Sequence, residues 1–312
     1  MFNKLFCTLQ RIKYNLFSNS LKLTKVHNTK SKDKTKYYII RRKSGKSGFF
    51  SNFFYVLAHM VYADKKGYTP VVDMENYKTL YNEEKAVNGT KNAWKYYFKQ
   101  PVSLEKAYKG KNVILSDSFY ISKYVPQYTT NEVHGLDKKN ISYLKSVFDK
   151  YSGVNDDILK KAQKEFDSKF NGKTVVGVHI RGTDMRNFPG HPAPPSVEEY
   201  IKVLHELANK NHIDCIMLCT DETDIVNRLR QEFGDMVYVN DSFRADGQTE
   251  IGIHTNNNGV KRELHKYKLG LEVLNDVLFL SKCDYLVHSR SNVPFAAKIF
   301  NDNKYKECIF IS

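Results

Sequence analysis

The chain has 312 residues, 41% of them hydrophobic and 13% aromatic, which is enough to build packed cores and argues against general disorder. No run approaches the roughly 20 consecutive apolar residues that cross a bilayer, and Lys4, Arg11 and Lys13 interrupt the first residues before the apolar core of a signal peptide can form. Residues 1–46 hold 13 Lys and Arg against one acid, Asp33, and so carry +12 of the net charge of +15, while the other 266 residues have 36 basic and 33 acidic side chains. A nucleic-acid-binding protein would carry its basic face on the folded body, so this distribution argues against a nucleic-acid partner.

Residues 1–36 interleave Phe and Leu with the basic side chains, a pattern that fits either an anionic membrane surface or a solvated tail. The ordered part is expected to begin at Tyr37. A strand (YYIIRR) leads into a Gly/Ser loop, Ser44 to Gly48, then a long apolar helix from Phe50 to about Lys65, the stop Gly67 and a strand TPVVDM. That order opens a parallel α/β sheet. The stretch NAWKYYFKQP follows, in which Trp94, Tyr96, Tyr97 and Phe98 fit a sugar-stacking face but more simply read as core. A short strand spans Val113 to Leu115, and helical patterns fill 137–170 up to Asn171-Gly172, a helix stop that serves as a domain junction. The expected division is a basic segment 1–36, a first Rossmann-like domain 37–170 and a second 171–312.

In the second half, apolar strands (TVVGVHI, IDCIMLCT, MVYVN, DYLVHS, CIFI) alternate with helices, the first helix capped by Ser196 with Glu198 and Glu199 in its first turn. Such alternation predicts a doubly wound parallel sheet buried on both faces. Cysteines stand at 7, 215, 219, 283 and 308 without a Cys-x-x-Cys pair. They read as reduced core thiols and point to a cytoplasmic protein.

Ligands of open α/β sheets bind beyond the carboxyl ends of the strands. Three polar clusters fall there: His179, Arg181, Thr183 and Asp184; Thr220 and Asp221; and Ser289, Arg290, Ser291 and Asn292. An arginine beside a Ser/Asn-capped helix start describes a phosphate site. Gly45-Lys46-Ser47 lacks the Walker spacing because position 40 is Ile, and there is no G-x-G-x-x-G, H-E-x-x-H or Asp-x-Asp. A leaving diphosphate would therefore be neutralised by arginine and backbone amides, with no metal called for.

Residues 177–184 (GVHIRGTD) resemble the H-x-R-x-x-D motif of the α-1,6-fucosyltransferases and protein O-fucosyltransferases. DVLFLSKCDYLVHSRSNV (276–293) is similar to that family's F-L-S-x-x-D-[FY]-L-V segment and Ser-rich turn. Thr220-Asp221-Glu222 stands where the family has T-D-[DE], HPAPPSVEEY is similar to its H-P-x-E-E-Y helix start, and GFFSNFFYVLAHMVYADKKGYTPVVDMENY resembles the first-domain glycine loop, helix and strand. The resemblance is dense over 174–300 and loose over 45–77. It implies a GT-B architecture, two Rossmann-like domains facing across a cleft, and an inverting, metal-free transfer of fucose from GDP-fucose to a glycan acceptor without a cofactor. By position, His179 and Asp276 would contact guanine and Arg181 would take the diphosphate as the catalytic residue. Ser291 and Asn292 would lie near the β-phosphate, and Ser289, Thr220 and Asp221 near the donor. Gly48 and Asn52, of the glycine loop and the helix after it, would also contact the donor, and Asp184 either joins the donor site or bonds to its own turn. Gly182 stands where the family carries a second basic residue, and Pro189 where it carries an acidic base; His191 shapes the same loop. Another GDP-sugar donor, or a nucleotide-sugar-binding protein without catalysis, fits the same residues.

Overall fold

Consecutive apolar residues become parallel strands buried on both faces, as in Val175–Ile180 and Cys215–Thr220, where all six residues of each are buried. The structure is a computed structural model that describes residues 23–42, 45–116, 124–125, 136–182, 194–244 and 262–312. These form two units, one of residues up to 127 with Tyr143–Asn155 and one of residues 128–142 with Asp156–Ser312.

In the first unit β1 (Leu23–His27), β2 (Lys36–Ile40), β3 (Thr69–Val72) and β4 (Asn112–Ser116) form a sheet of order β1-β4-β2-β3. β2 runs parallel to both neighbours, with Tyr37 opposite Thr69 and Val113. β1 runs antiparallel to β4, with Leu23 opposite Ser116. The expectation that order starts at Tyr37 is thus corrected: an edge strand lies inside the segment read as a basic tail. Its pattern is almost wholly exposed, and Lys25 sits on it. A charged edge strand has no hydrophobic alternation to announce it, and its lysine also discourages pairing with other chains. Just past β2, Arg41 and Arg42 are half-buried and hydrogen-bonded rather than free.

Helix α1 (Phe49–Lys65) buries 14 of its 17 residues, which explains its apolar character all round. Gly67, at φ +66°, turns the chain into β3. The Trp94 region is core, as its default reading held: α2 (Ala93–Tyr97) buries Trp94, Tyr96 and Tyr97. The Trp94 ring lies 4.4 Å from that of Phe98, and its Nε1 donates to Ser152 Oγ at 3.0 Å. The short α3 (Leu104–Tyr108) precedes β4, and α4 (Lys138–Tyr151) follows it.

The second unit has a five-stranded sheet of order β7-β6-β5-β8-β9, every pair parallel: β5 (Val175–Ile180), β6 (Cys215–Thr220), β7 (Val237–Val239), β8 (Tyr285–His288) and β9 (Glu307–Phe310). Helices α6 (Val197–Lys210), α7 (Thr223–Phe233), α8 (His265–Leu280) and α9 (Asn292–Phe300) link them. Helix α5 (Asp156–Phe170) groups with this unit rather than with the residues before it. The reason is aromatic packing: Phe166 meets Phe279 at 5.6 Å and Phe170 meets Tyr238 at 5.1 Å. Among the described residues no helix is long and apolar enough to cross a membrane.

Candidate active site

The strand order of the second sheet reverses between β5 and β8, which makes the carboxyl ends of these two strands a switch point. His179 and Arg181 stand at the end of β5, and Ser289 to Asn292 at the end of β8, with His179 directly opposite His288. Alternation along β5 sends Val176, Val178 and Ile180 into a core with Tyr200 and Leu204 of α6 and Ile225 of α7. Gly177 and His179 face the other side, toward α8. A Cβ on Gly177 would lie 2.9 Å from Leu280, so glycine lets α8 approach the sheet closely.

His179 is 5% exposed, and no described residue hydrogen-bonds its Nδ1. Burial, aided by the charge of Arg181, lowers its pKa to about 3, so the ring is neutral at pH 7. Its pairing partner on β6 is Cys219, whose Sγ lies 3.9 Å from the carbonyl oxygen of Asp276. The sheet register and α8 therefore bring His179 and Asp276 to one face. Burial raises the Asp276 carboxyl to about 6, opposed by a 2.8 Å hydrogen bond from the Asn240 side-chain amide and by the charge of Arg244.

Arg181 points its Nε at Asp221 Oδ2, 3.4 Å away, and its side chain is 26% exposed. The other oxygen of Asp221 accepts the Gly182 N–H at 2.9 Å. Asp221 thus fixes both the guanidinium and the backbone beside it. Gly182 has a steric explanation: a Cβ there would stand 2.2 Å from Cδ of Glu222, a side chain only 2% exposed. A side chain at 182 would have to displace the end of that glutamate. Thr220, 8% exposed, accepts the Glu222 N–H at 3.4 Å. Ser291 caps α9 by accepting from the Val293 N–H at 3.3 Å. Since Pro294 has no N–H and the Val293 N–H is taken by Ser291, the α9 start offers an anion few backbone donors.

No protein-family model and no curated protein matches the chain in sequence. Among solved structures it resembles the NodZ α-1,6-fucosyltransferase soaked with GDP-fucose, at 14% identity and a TM-score of 0.51 over 85% of this chain and 93% of that one. The match to the NodZ α-1,6-fucosyltransferase co-crystallised with GDP has 13% identity and a TM-score of 0.51 over 85% and 92%. POFUT1 in complex with GDP aligns at 11% identity over 90% of this chain and 99% of that one, with a TM-score of 0.49. This chain has the fold of the NodZ fucosyltransferase.

Within that fold, the first-unit glycine loop is held by a residue the sequence reading passed over. Arg42 donates to the Ser51 carbonyl at 3.1 Å, Asn52 Oδ1 at 2.8 Å and Ser47 Oγ at 2.9 Å, with its guanidinium 4.9 Å from the Tyr55 ring centre. Asn52, 4% exposed, also donates to the Ser47 carbonyl at 2.9 Å. Both ends of its amide are engaged inside the loop. Gly48 has an ordinary φ of −59° and nothing within 4 Å of a Cβ, so no protein contact demands glycine there. Gly45 is the packed one, 2.0 Å from the Lys78 carbonyl oxygen for a Cβ. The E-E-Y part of the similarity to H-P-x-E-E-Y has a local cause too: Ser196 and Glu199 form a capping box, Glu198 takes a two-point bond from Arg228 at 2.8 and 2.9 Å, and Tyr200 is fully buried. Asp184, Pro189 and His191 lie outside the described residues. Cys215, Cys219, Cys283 and Cys308 are unbridged.

Proposed function

We propose that the chain is an inverting glycosyltransferase that moves fucose from GDP-fucose to a glycan acceptor. The observation that carries the proposal is a buried imidazole and a partly exposed arginine at the end of β5, with a carboxyl on α8 held over the neighbouring β6 and the end of β7. Asp276 supplies acceptors for the adjacent ring N–H and exocyclic amine of guanine, and His179 assists from the neighbouring strand end. Arg181, oriented by Asp221, takes the diphosphate charge, with Ser289, Ser291 and Asn292 beside it. An acceptor hydroxyl then attacks the anomeric carbon from the face opposite the diphosphate. The C–O bond to the β-phosphate breaks, its electron pair leaves with GDP, and a base takes the hydroxyl proton. The fold neighbour was soaked with GDP-fucose and co-crystallised with GDP, which supports this choice of donor.

The proposed setting is the cytoplasm, with contact to an anionic membrane through the basic residues of 1–36. The support is that the described cysteines are unbridged and that Lys25, Lys30, Lys32, Lys34 and Lys36 are exposed.

The test is GDP release from a panel of GDP-sugars, with and without chelator. GDP-fucose is expected to turn over fastest, and chelation to leave the rate unchanged, because Arg181 stands where a metal would neutralise the diphosphate. Release from another GDP-sugar alone would change the donor. No release from any would make the chain a binder, and a loss restored by Mg²⁺ or Mn²⁺ would refute the arginine-based mechanism.

A further inference from the structure

Asn240, just past β7, is 6% exposed and has no role in the family motifs above. Its amide donates to Asp276 Oδ1 at 2.8 Å. The residue is itself held in place: Arg244 donates through Nη2 to the Asn240 carbonyl at 2.6 Å and through Nη1 to that of Ser242 at 3.2 Å. One helical turn before Asp276, Glu272 accepts the N–H of Phe243 at 3.3 Å. Two carboxylates four residues apart on α8 thus staple residues 240–243 to the helix. A carboxylate on a helix can rotate about its last torsion. One firm donor fixes its plane and leaves lone pairs for other donors.

We infer that Asn240 is a positioning residue for the choice of nucleobase: its amide holds the Asp276 carboxylate in the plane that accepts the paired donors of a guanine edge. The inference rests on the GDP-donor reading above, since it presupposes that Asp276 meets the base. The groups around Asp276 act in different directions. The Asn240 amide, the Arg244 charge and the Cys219 thiol favour the ionised carboxylate, and Glu272 opposes it. His179, on the adjoining strand, is neutral. An amide that only tied β7 to α8 would affect stability and leave base preference alone.

The experiment is calorimetric titration of the full chain with GDP and with UDP from about pH 5 to 8, a range that brackets the Asp276 titration. The wild type should prefer GDP and lose that preference as the pH falls through the Asp276 pKa. Asn240→Ala should weaken GDP about tenfold at neutral pH while moving UDP by less than about twofold. Its loss of GDP affinity should begin at a higher pH, because the donor that favours the ionised form is gone. Asn240→Asp, nearly isosteric and the safer variant for folding, sets a second carboxylate against the first. On acidification a proton shared by the pair restores the hydrogen bond, so GDP affinity should rise where that of the wild type falls. Wild-type preference and an unchanged pH midpoint in both variants would overturn the inference. Absence of any GDP preference in the wild type would instead defeat the donor reading, and the inference with it.

Discussion

Arg181→Ala is expected to slow turnover of GDP-fucose by about a hundredfold or more, equivalent to roughly 3–4 kcal/mol in the transition state. Arg181→Lys is not expected to recover it. The guanidinium is a planar fork that can give one edge to a phosphate while its Nε stays with Asp221, 3.4 Å away. An ammonium is a point charge and cannot serve both partners in fixed geometry. The large effect follows from the surroundings. Asp221 places a carboxylate beside the arginine, the α9 start offers few free N–H donors, and the buried Glu222 packs over Gly182, where the family carries a second cation. Steady-state kinetics should show the loss mainly in kcat, since charge on the leaving diphosphate grows as the bond breaks. Wild-type-like turnover in the lysine variant would reduce Arg181 to an ion pair that shapes the loop.

The second large effect is on stability against pH, where His179 and Asp276 act in opposite senses. His179 has a folded pKa of about 3 against an unfolded value of 6.5. Its contribution is complete above the unfolded value and is lost as the pH falls, because the unfolded chain binds a proton that the native one refuses. The loss is about 1.4 kcal/mol per pH unit, or about 4–5 kcal/mol by the folded pKa. Asp276 has a folded pKa of about 6 against an unfolded 3.8. Between those values the native state holds the extra proton, so acidification stabilises it by about 1.4 kcal/mol per unit, about 3 kcal/mol in all. The two nearly cancel in the wild type from the folded pKa of Asp276 down to its unfolded one. Chemical denaturation across that window should therefore show opposite slopes in the single variants. His179→Gln should grow more stable on acidification, and Asp276→Asn should become acid-sensitive. Parallel pH curves for both variants and the wild type would show that neither group is buried as described.

These groups were legible in the sequence to different degrees, for physical reasons. The strands β5, β6 and β8 read directly because burial on both faces demands unbroken apolar runs, and Arg181 and Ser291 follow from their ends. β1 was not legible. An exposed antiparallel edge strand with Lys25 on it needs no apolar alternation, so it looks like tail. Trp94 read correctly as core because so many rings close together in sequence have to pack on one another. The grouping of α5 with the second unit depends on Phe166 and Phe170 meeting Phe279 and Tyr238, partners more than sixty residues away. Arg42 and Asn240 were invisible for the same reason. Each is an ordinary polar residue whose importance lies wholly in the side chain that folding brings to it.

The central claim is that the second unit reads guanine through Asp276 and holds the diphosphate through Arg181. The most direct measurement is the affinity of GDP, ADP and UDP for the wild type, Asp276→Ala and Arg181→Ala. A carboxylate accepts both adjacent donors of guanine, adenine lacks that pair, and uracil flanks its ring N–H with carbonyl oxygens that repel it. GDP should therefore bind the wild type about tenfold tighter or more, from roughly 1–3 kcal/mol for a charged group left unpaired by the wrong base. Asp276→Ala should erase most of that preference, and Arg181→Ala should weaken all three nucleotides by similar factors. Full guanine preference in the Asp276 variant would contradict the account.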